Sequence, residues 1–176
     1  HWVGPYYPEG TRSRDFLAYY LRDFDTVEIN NTFYNLPKPE RFQEWRDAVP
    51  AEFRFAAKAS RYITHMKKLK DPGESTTTFF QAVDHLGDRL GPILFQLPPN
   101  WRLNLGRLRD LLQVLPAEGY RYAFEFRDDS WFDDAVLDLL HEHGGALVIY
   151  DLEGTLAPVQ ATANFVYLRL HGPGET

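Results

Sequence analysis

The stretch YAFEFR, residues 122–127, alternates apolar side chains with a carboxylate and a guanidinium. Side chains along a strand point to opposite faces in turn. Phe124 and Phe126 therefore share one face, and Glu125 and Arg127 share the other. Such a strand reads as a piece of wall. Helices pack on its apolar side, and a polar cavity lies on the other, at the strand's carboxyl end.

The layout recurs along the chain. TVEIN (26–30) sets Glu28 and Asn30 opposite Val27 and Ile29, and FRFAAK (53–58) ends in Lys58. PILFQLPP (92–99) holds Gln96 between Phe95 and Leu97, and ALVIY (146–150) runs into Asp151. FVYLRLHG (165–172) sets Tyr167, Arg169 and His171 opposite Leu168 and Leu170. Six strands are thus predicted, beginning near residues 26, 53, 92, 121, 146 and 165. Apolar residues at helical spacing predict helices over 15–24, 38–47, 75–90, 104–115 and 131–143. Pro39 suits a first helical turn. Ser130 followed by Asp133 reads as a capping-box pair, and Gly144-Gly145 as a helix stop. Residues 31–37 are expected to be loop, and 59–74 a long basic loop with a short helical piece. The 151–164 connection is expected to hold a loop or one or two helical turns.

Strands alternating with helices in this way belong to a parallel sheet. A doubly wound fold usually announces a glycine-rich first loop, and neither GxGxxG nor GxxxxGK[ST] occurs. A TIM (β/α)8 barrel typically takes about 250 residues. The expectation is therefore an α/β chain forming one β/α-barrel domain over 1–176, with the first and last strands outside that range. An intact six-stranded open sheet is the alternative. The start at His1 without a Met, and the stop at HGPGET just after an apolar strand, suit the barrel expectation.

The formal charge of −6, from 19 basic and 25 acidic residues, opposes an extended nucleic-acid duplex as partner. There is no Cys, which removes disulfide and thiol chemistry and fits a cytoplasmic protein. No apolar run approaches the roughly 18 residues that would span a membrane.

Ionic groups gathered at strand ends must neutralise one another, meet water or meet a ligand. Two readings stand side by side: a structural ion-pair network, and a ligand site at the C-terminal mouth where barrels carry their chemistry. Glu28, Glu125, Asp151 and His171 are the candidates for acid–base catalysis. Asn30, Asn31, Tyr34, Lys58, Arg61, His65, Gln96, Arg127, Trp131 and Arg169 are the candidates for holding an anionic substrate. The segment KASRYITHMKKLK (58–70) is basic without one acid and is expected to overhang the mouth, its outer lysines as bystanders. Trp2, Tyr6, Tyr7, Phe33, Tyr34, Trp101 and Trp131 fall in loops or at helix starts, where they either wall a pocket or simply pack. No cofactor is required. A divalent metal on Glu28, Glu125, Asp151 and His171 is conceivable, with no spaced ligand motif behind it. The functional expectation is an enzyme, hydrolase- or isomerase-like, acting on a small phosphorylated or otherwise anionic, sugar-like substrate. The alternatives are a non-catalytic binding protein for an anionic metabolite or a nucleic-acid end, and a metal-dependent phosphoesterase or nuclease.

Several of these stretches carry a resemblance. TVEINNTFY (26–34), FRFAAKASRYITH (53–65), LGPILFQLPP (90–99), YAFEFRDDSW (122–131), Asp151 and YLRLHG (167–172) resemble the DUF72, or YecE-like, family. So does the Trp2–Pro8 stretch, with Gly4 and Tyr6 in place. The resemblance implies a TIM barrel, a further strand at each end, and no settled reaction.

Overall fold

The computed structural model describes residues 2–152 and 154–172. Seven strands run β1 (Thr26–Ile29), β2 (Arg54–Lys58), β3 (Leu90–Gln96), β4 (Tyr122–Glu125), β5 (Ala146–Leu152), β6 (Thr155–Leu156) and β7 (Tyr167–Leu170). The helices are α1 (Phe16–Tyr20), α2 (Asn31–Tyr34), α3 (Pro39–Asp47), α4 (Pro72–Val83), α5 (Leu105–Val114) and α6 (Asp134–Glu142). Strands β1, β2, β3, β4, β5 and β7 are parallel neighbours in chain order. β6 folds back antiparallel on the end of β5. A doubly wound sheet reverses its strand order near the middle. This sheet never does, and it curls as a partial barrel wall.

The alternation seen in the sequence becomes two sides. Phe55, Phe95, Phe124 and Phe126 are buried in one core with Leu108, Leu111, Leu139 and Leu140 of α5 and α6. Leu94, Ala123, Val148 and Tyr150 form a separate small cluster on the concave side. Leu94, Ala123 and Val148 come before the ionic residues along their strands, and Tyr150 stands level with Arg169.

Local chemistry explains where sequence and structure part. Residues 31–34, expected as loop, make one helical turn. Thr32, fully buried, fixes it by donating to the Ile29 and Lys58 carbonyls at 2.9 and 2.7 Å. α4 starts at Pro72 rather than 75, since a proline fits the first turn. It gives way at Asp84 to a 3-10 stretch broken at Gly87, whose φ is +52°. β3 begins at Leu90, ahead of Pro92. A register shift against β2, between Phe55 and Ala57, accommodates a residue that has no N–H to donate.

The capping pair reads differently as well. Asp133, not Ser130, caps α6, accepting from the Ala135 amide at 2.9 Å. Ser130 lies in a 3-10 turn capped by Asp128, and its hydroxyl accepts from the Leu103 amide at 2.8 Å. The helix ends as expected at Gly144, whose φ of +63° only glycine adopts cheaply. The 151–164 connection holds β6 instead of a helix.

Candidate functional site

β1 and β7 are separated by most of the chain, yet a carboxylate joins them. Glu28 accepts from Arg169 twice, at 3.1 Å (Nε) and 2.9 Å (Nη2), and from the Tyr167 hydroxyl at 2.8 Å. Arg169 also donates through Nη1 to Glu125 at 2.6 Å. The other Glu125 oxygen is held by Arg127 Nε. Glu125 is fully buried, so both guanidinium bonds are made out of water, where charge-assisted pairing is strongest. Burial works against the charge on Arg169, but Glu125 and Glu28 outweigh it and raise its pKa. Burial and then Glu28 push the Tyr167 phenol far up, so it remains a donor.

Arg127 is the next link. Its guanidinium lies 4.7 Å from the centre of the Tyr150 ring. Its Nη2 stands 3.2 Å from His171 Nε2. A guanidinium only donates, so His171 Nε2 accepts and is unprotonated. Burial, then Arg169 and Arg127, lower the imidazole pKa accordingly.

Lys58 faces the same space from β2. Its Nζ sits 4.4 Å from the centre of the Phe33 ring. Among the described residues no carboxylate pairs with it or with Arg61. Burial, then Arg169, lower the Lys58 pKa, against the opposite pull of Glu28 and Glu125. His65 packs edge-on to Phe33, 5.0 Å between ring centres, with Nδ1 at 2.9 Å from the Thr64 hydroxyl. Its pKa is also lowered, by burial and then by Lys58 and Arg61.

The expected residues therefore divide. Glu28, Glu125, Arg127, Arg169 and His171 form one hydrogen-bonded network. Lys58 and His65 gather beside it around Phe33, the exposed Arg61 lies near enough to act on His65, and Gln96 stands in register with Glu125. Tyr34 is exposed against the Phe33 edge, and Asn30 and Asn31 are exposed at the top of β1. Asp151 does not join: it is exposed, shares its register face with Leu147 and Ile149, and makes no ion pair among the described residues. Trp131 is a core residue, fully buried, stacked on Phe126 and donating to the Trp101 carbonyl at 2.6 Å. Trp2, Tyr6 and Tyr7 cluster with one another, Tyr7 buried and stacked on Phe16 of α1 at 4.2 Å and Trp2 exposed. Tyr150, Tyr167 and Thr32 are the residues that the sequence-based site omits. Strand parity beside Arg169 points to Tyr167. Tyr150 carried no such signal, because β5 is apolar on both faces.

Among the described residues, no group of three or more His, Asp or Glu side chains is placed to hold a metal. The two carboxylates of the network are already paired with arginine. No described helix is long and apolar enough to cross a membrane. A cavity of about 370 Å³ opens between β1 and β7, lined by Thr26, Val27, Val166 and Leu168 toward the amino ends of these strands and reaching Glu28, Ala56 and Tyr167. A larger cavity, about 640 Å³, lies beside the amino ends of β4 and β7, lined by Tyr122, His141 and Phe165. It lies away from the network, at the end of the barrel that usually serves stability.

A family model matches this chain along its whole length, and known proteins match most of it. The family model described as protein of unknown function DUF72 matches residues 1–176. The UPF0759 protein YecE of Escherichia coli K12 is 34% identical over 141 residues, 77% of this chain and 52% of that protein. The UPF0759 protein YunF of Bacillus subtilis 168 is 30% identical over 139 residues, 72% of this chain and 47% of that protein. The chain thus spans about half the length of these relatives. The crystal structure of a DUF72 family protein from Thermotoga maritima superposes with TM-score 0.84 and 32% identity, over 99% of this chain and 71% of that one. One from Enterococcus faecalis gives 0.78 and 25% identity, over 90% and 64%.

Proposed function

The chain belongs to the DUF72 family, and on that premise we propose that its barrel mouth binds a small phosphorylated or carboxylated compound. One observation carries this reading: the mouth has an excess of positive charge. Glu28 and Glu125 are neutralised by Arg169 and Arg127. Lys58 and Arg61 remain without a described carboxylate partner, and Lys58 is half-buried. A half-desolvated cation without a counter-ion is costly, and an anionic ligand relieves the cost. The network holds the cavity floor rigid, and the lysine and Arg61 supply the charge. Tyr150, Tyr167 and Phe33 provide apolar walls for a sugar-like or other small skeleton.

This reading alters the expected roles. Each Glu125 oxygen already accepts from a guanidinium, and His171 is an acceptor for Arg127 rather than an acid. Both act as positioning residues. Asp151 and a metal-dependent phosphoesterase have no support in the side-chain geometry. The open edges of β1 and β7 support one further reading, that strands outside residues 1–176 complete the same domain.

Calorimetric titration with inorganic phosphate and with a panel of carboxylates and sugar phosphates tests the site. Affinity is expected to fall at least about tenfold in Lys58→Ala and in Arg61→Ala, a loss of about 1.4 kcal/mol each. Unchanged affinity in both variants overturns the assignment. A shallow dependence on salt is expected for a small ligand. A steep one indicates several phosphate contacts and favours a nucleic-acid end.

A further inference from the structure

We propose that Lys58 is an imine-forming amine, condensing with the carbonyl carbon of a small carboxylated or phosphorylated aldehyde or ketone held at the mouth. The proposal rests on the reading of the mouth as an anion site and names the substrate class. Four observations meet at this side chain. It ends β2 on the concave side, with Ala56, two residues back, leaving room beneath it. Its backbone is pinned, because the Thr32 hydroxyl donates to the Lys58 carbonyl at 2.7 Å. Its Nζ rests 4.4 Å from the centre of an aromatic ring instead of on a carboxylate. The guanidinium of Arg169, which bridges both network carboxylates, belongs to the same ionic cluster.

An amine becomes a nucleophile when it loses its proton. Partial desolvation beside other cations is the standard physical route to that state. The direction of the Lys58 pKa shift agrees. Lysine's alternative fate, a tight salt bridge that would hold the proton, is closed here because arginines occupy both carboxylates.

The step balances. The free amine attacks the carbonyl carbon, a C–N bond forms, and the carbonyl oxygen takes a proton to give a carbinolamine. That hydroxyl takes a second proton and leaves as water, and a C=N double bond remains. In sum, an ammonium and a carbonyl give a protonated imine and water, with two protons passing from nitrogen to oxygen. His65, against the same Phe33 ring, is placed to carry protons during the exchange. The bound imine withdraws electrons from the adjacent carbon, and Arg61 is the cation left to hold the anionic tail.

The chain contains five lysines: Lys38, Lys58, Lys67, Lys68 and Lys70. That small number makes the test selective. The protein is incubated near neutral pH with glyoxylate, an aldehyde bearing a carboxylate, and sodium cyanoborohydride. Carboxymethylated lysines are then located by peptide mass spectrometry. Lys58 is expected to be labelled at least about tenfold faster than any other lysine, because its partly desolvated amine loses its proton more readily. Glycolate, which has the carboxylate but no carbonyl, is expected to suppress the labelling. Lys58→Arg keeps the cation, so it is expected to retain glycolate affinity within a few-fold and to lose selective trapping. Even labelling of all five lysines alongside measurable glycolate binding overturns the imine proposal and leaves the anion site standing. Even labelling with no binding of glycolate or phosphate overturns both.

Discussion

Glu125 carries two guanidinium groups on one fully buried carboxylate, and this fixes what its removal costs. Glu125→Ala leaves Arg127 and Arg169 short of their counter-charge in a dry site, so a loss of about 3–5 kcal/mol is expected in chemical denaturation. Glu125→Gln keeps an acceptor oxygen and is expected to cost less. A loss under about 1 kcal/mol in the alanine variant contradicts the network's role. His171 gives the same cluster a pH dependence. Its pKa is lowered in the folded protein, by burial and then by Arg169 and Arg127, and that of His65 is lowered as well. As pH falls through the ordinary histidine range, near 6.5, the unfolded chain takes up protons that the folded chain refuses. The stability from these two residues is therefore present above that range and is lost below it. The mid-acid slope is expected to flatten in His171→Gln. An unchanged slope there assigns the titration to other groups.

At the scale of elements, patterns that repeat were legible in the sequence, and those set by a single contact were not. Five helices and six strands follow from apolar periodicity, because each must bury one side against the same core. The inward parity of Glu28, Glu125, Arg127 and Arg169 follows from the same rule. α2 is one turn long and has no periodicity to read; it exists because Thr32 satisfies two carbonyls. β5 is apolar on both faces, so its sequence could not decide between Tyr150 and Asp151. The structure turns Tyr150 toward Arg127. Trp131 reads as a binding residue because it is an aromatic at a helix start, yet its ring and its N–H are both satisfied in the core. The start of α6 shows how a near miss in sequence is a clear difference in energy. Asp133→Ala removes the cap on the Ala135 amide and is expected to cost about 1 kcal/mol. Ser130→Ala leaves α6 intact and instead frees the Leu103 amide in the loop before α5. Amide hydrogen exchange distinguishes them: faster exchange in the first turn of α6 is expected for the first variant only.

Across the whole molecule, Arg169 ties the last parallel strand to the first across 141 residues of chain. The barrel wall is otherwise open there. Among the described residues β1 pairs with β2 alone and β7 with β5 alone. The outer face of β7 shows Leu168 at 61% and Leu170 at 79% exposure, beside Val166 at 54%. Leucines on an unpaired parallel strand are an association surface, since parallel sheets are normally covered on both faces. A polypeptide limited to these 176 residues is therefore expected to self-associate in sedimentation velocity and to bind a hydrophobic dye. A longer polypeptide that supplies further strands is expected to do neither. Leu168→Lys with Leu170→Lys is expected to restore a monomer to the shorter polypeptide without disturbing Glu28, because Glu28 is bonded by Tyr167 and Arg169, on the opposite parity of the strand. A monomeric, dye-silent 176-residue polypeptide would mean that the side-chain bridge from Glu28 to Arg169 and Tyr167 closes the wall by itself. In that case Arg169→Met, which removes the bridge, is the variant that should open it and expose the dye-binding surface.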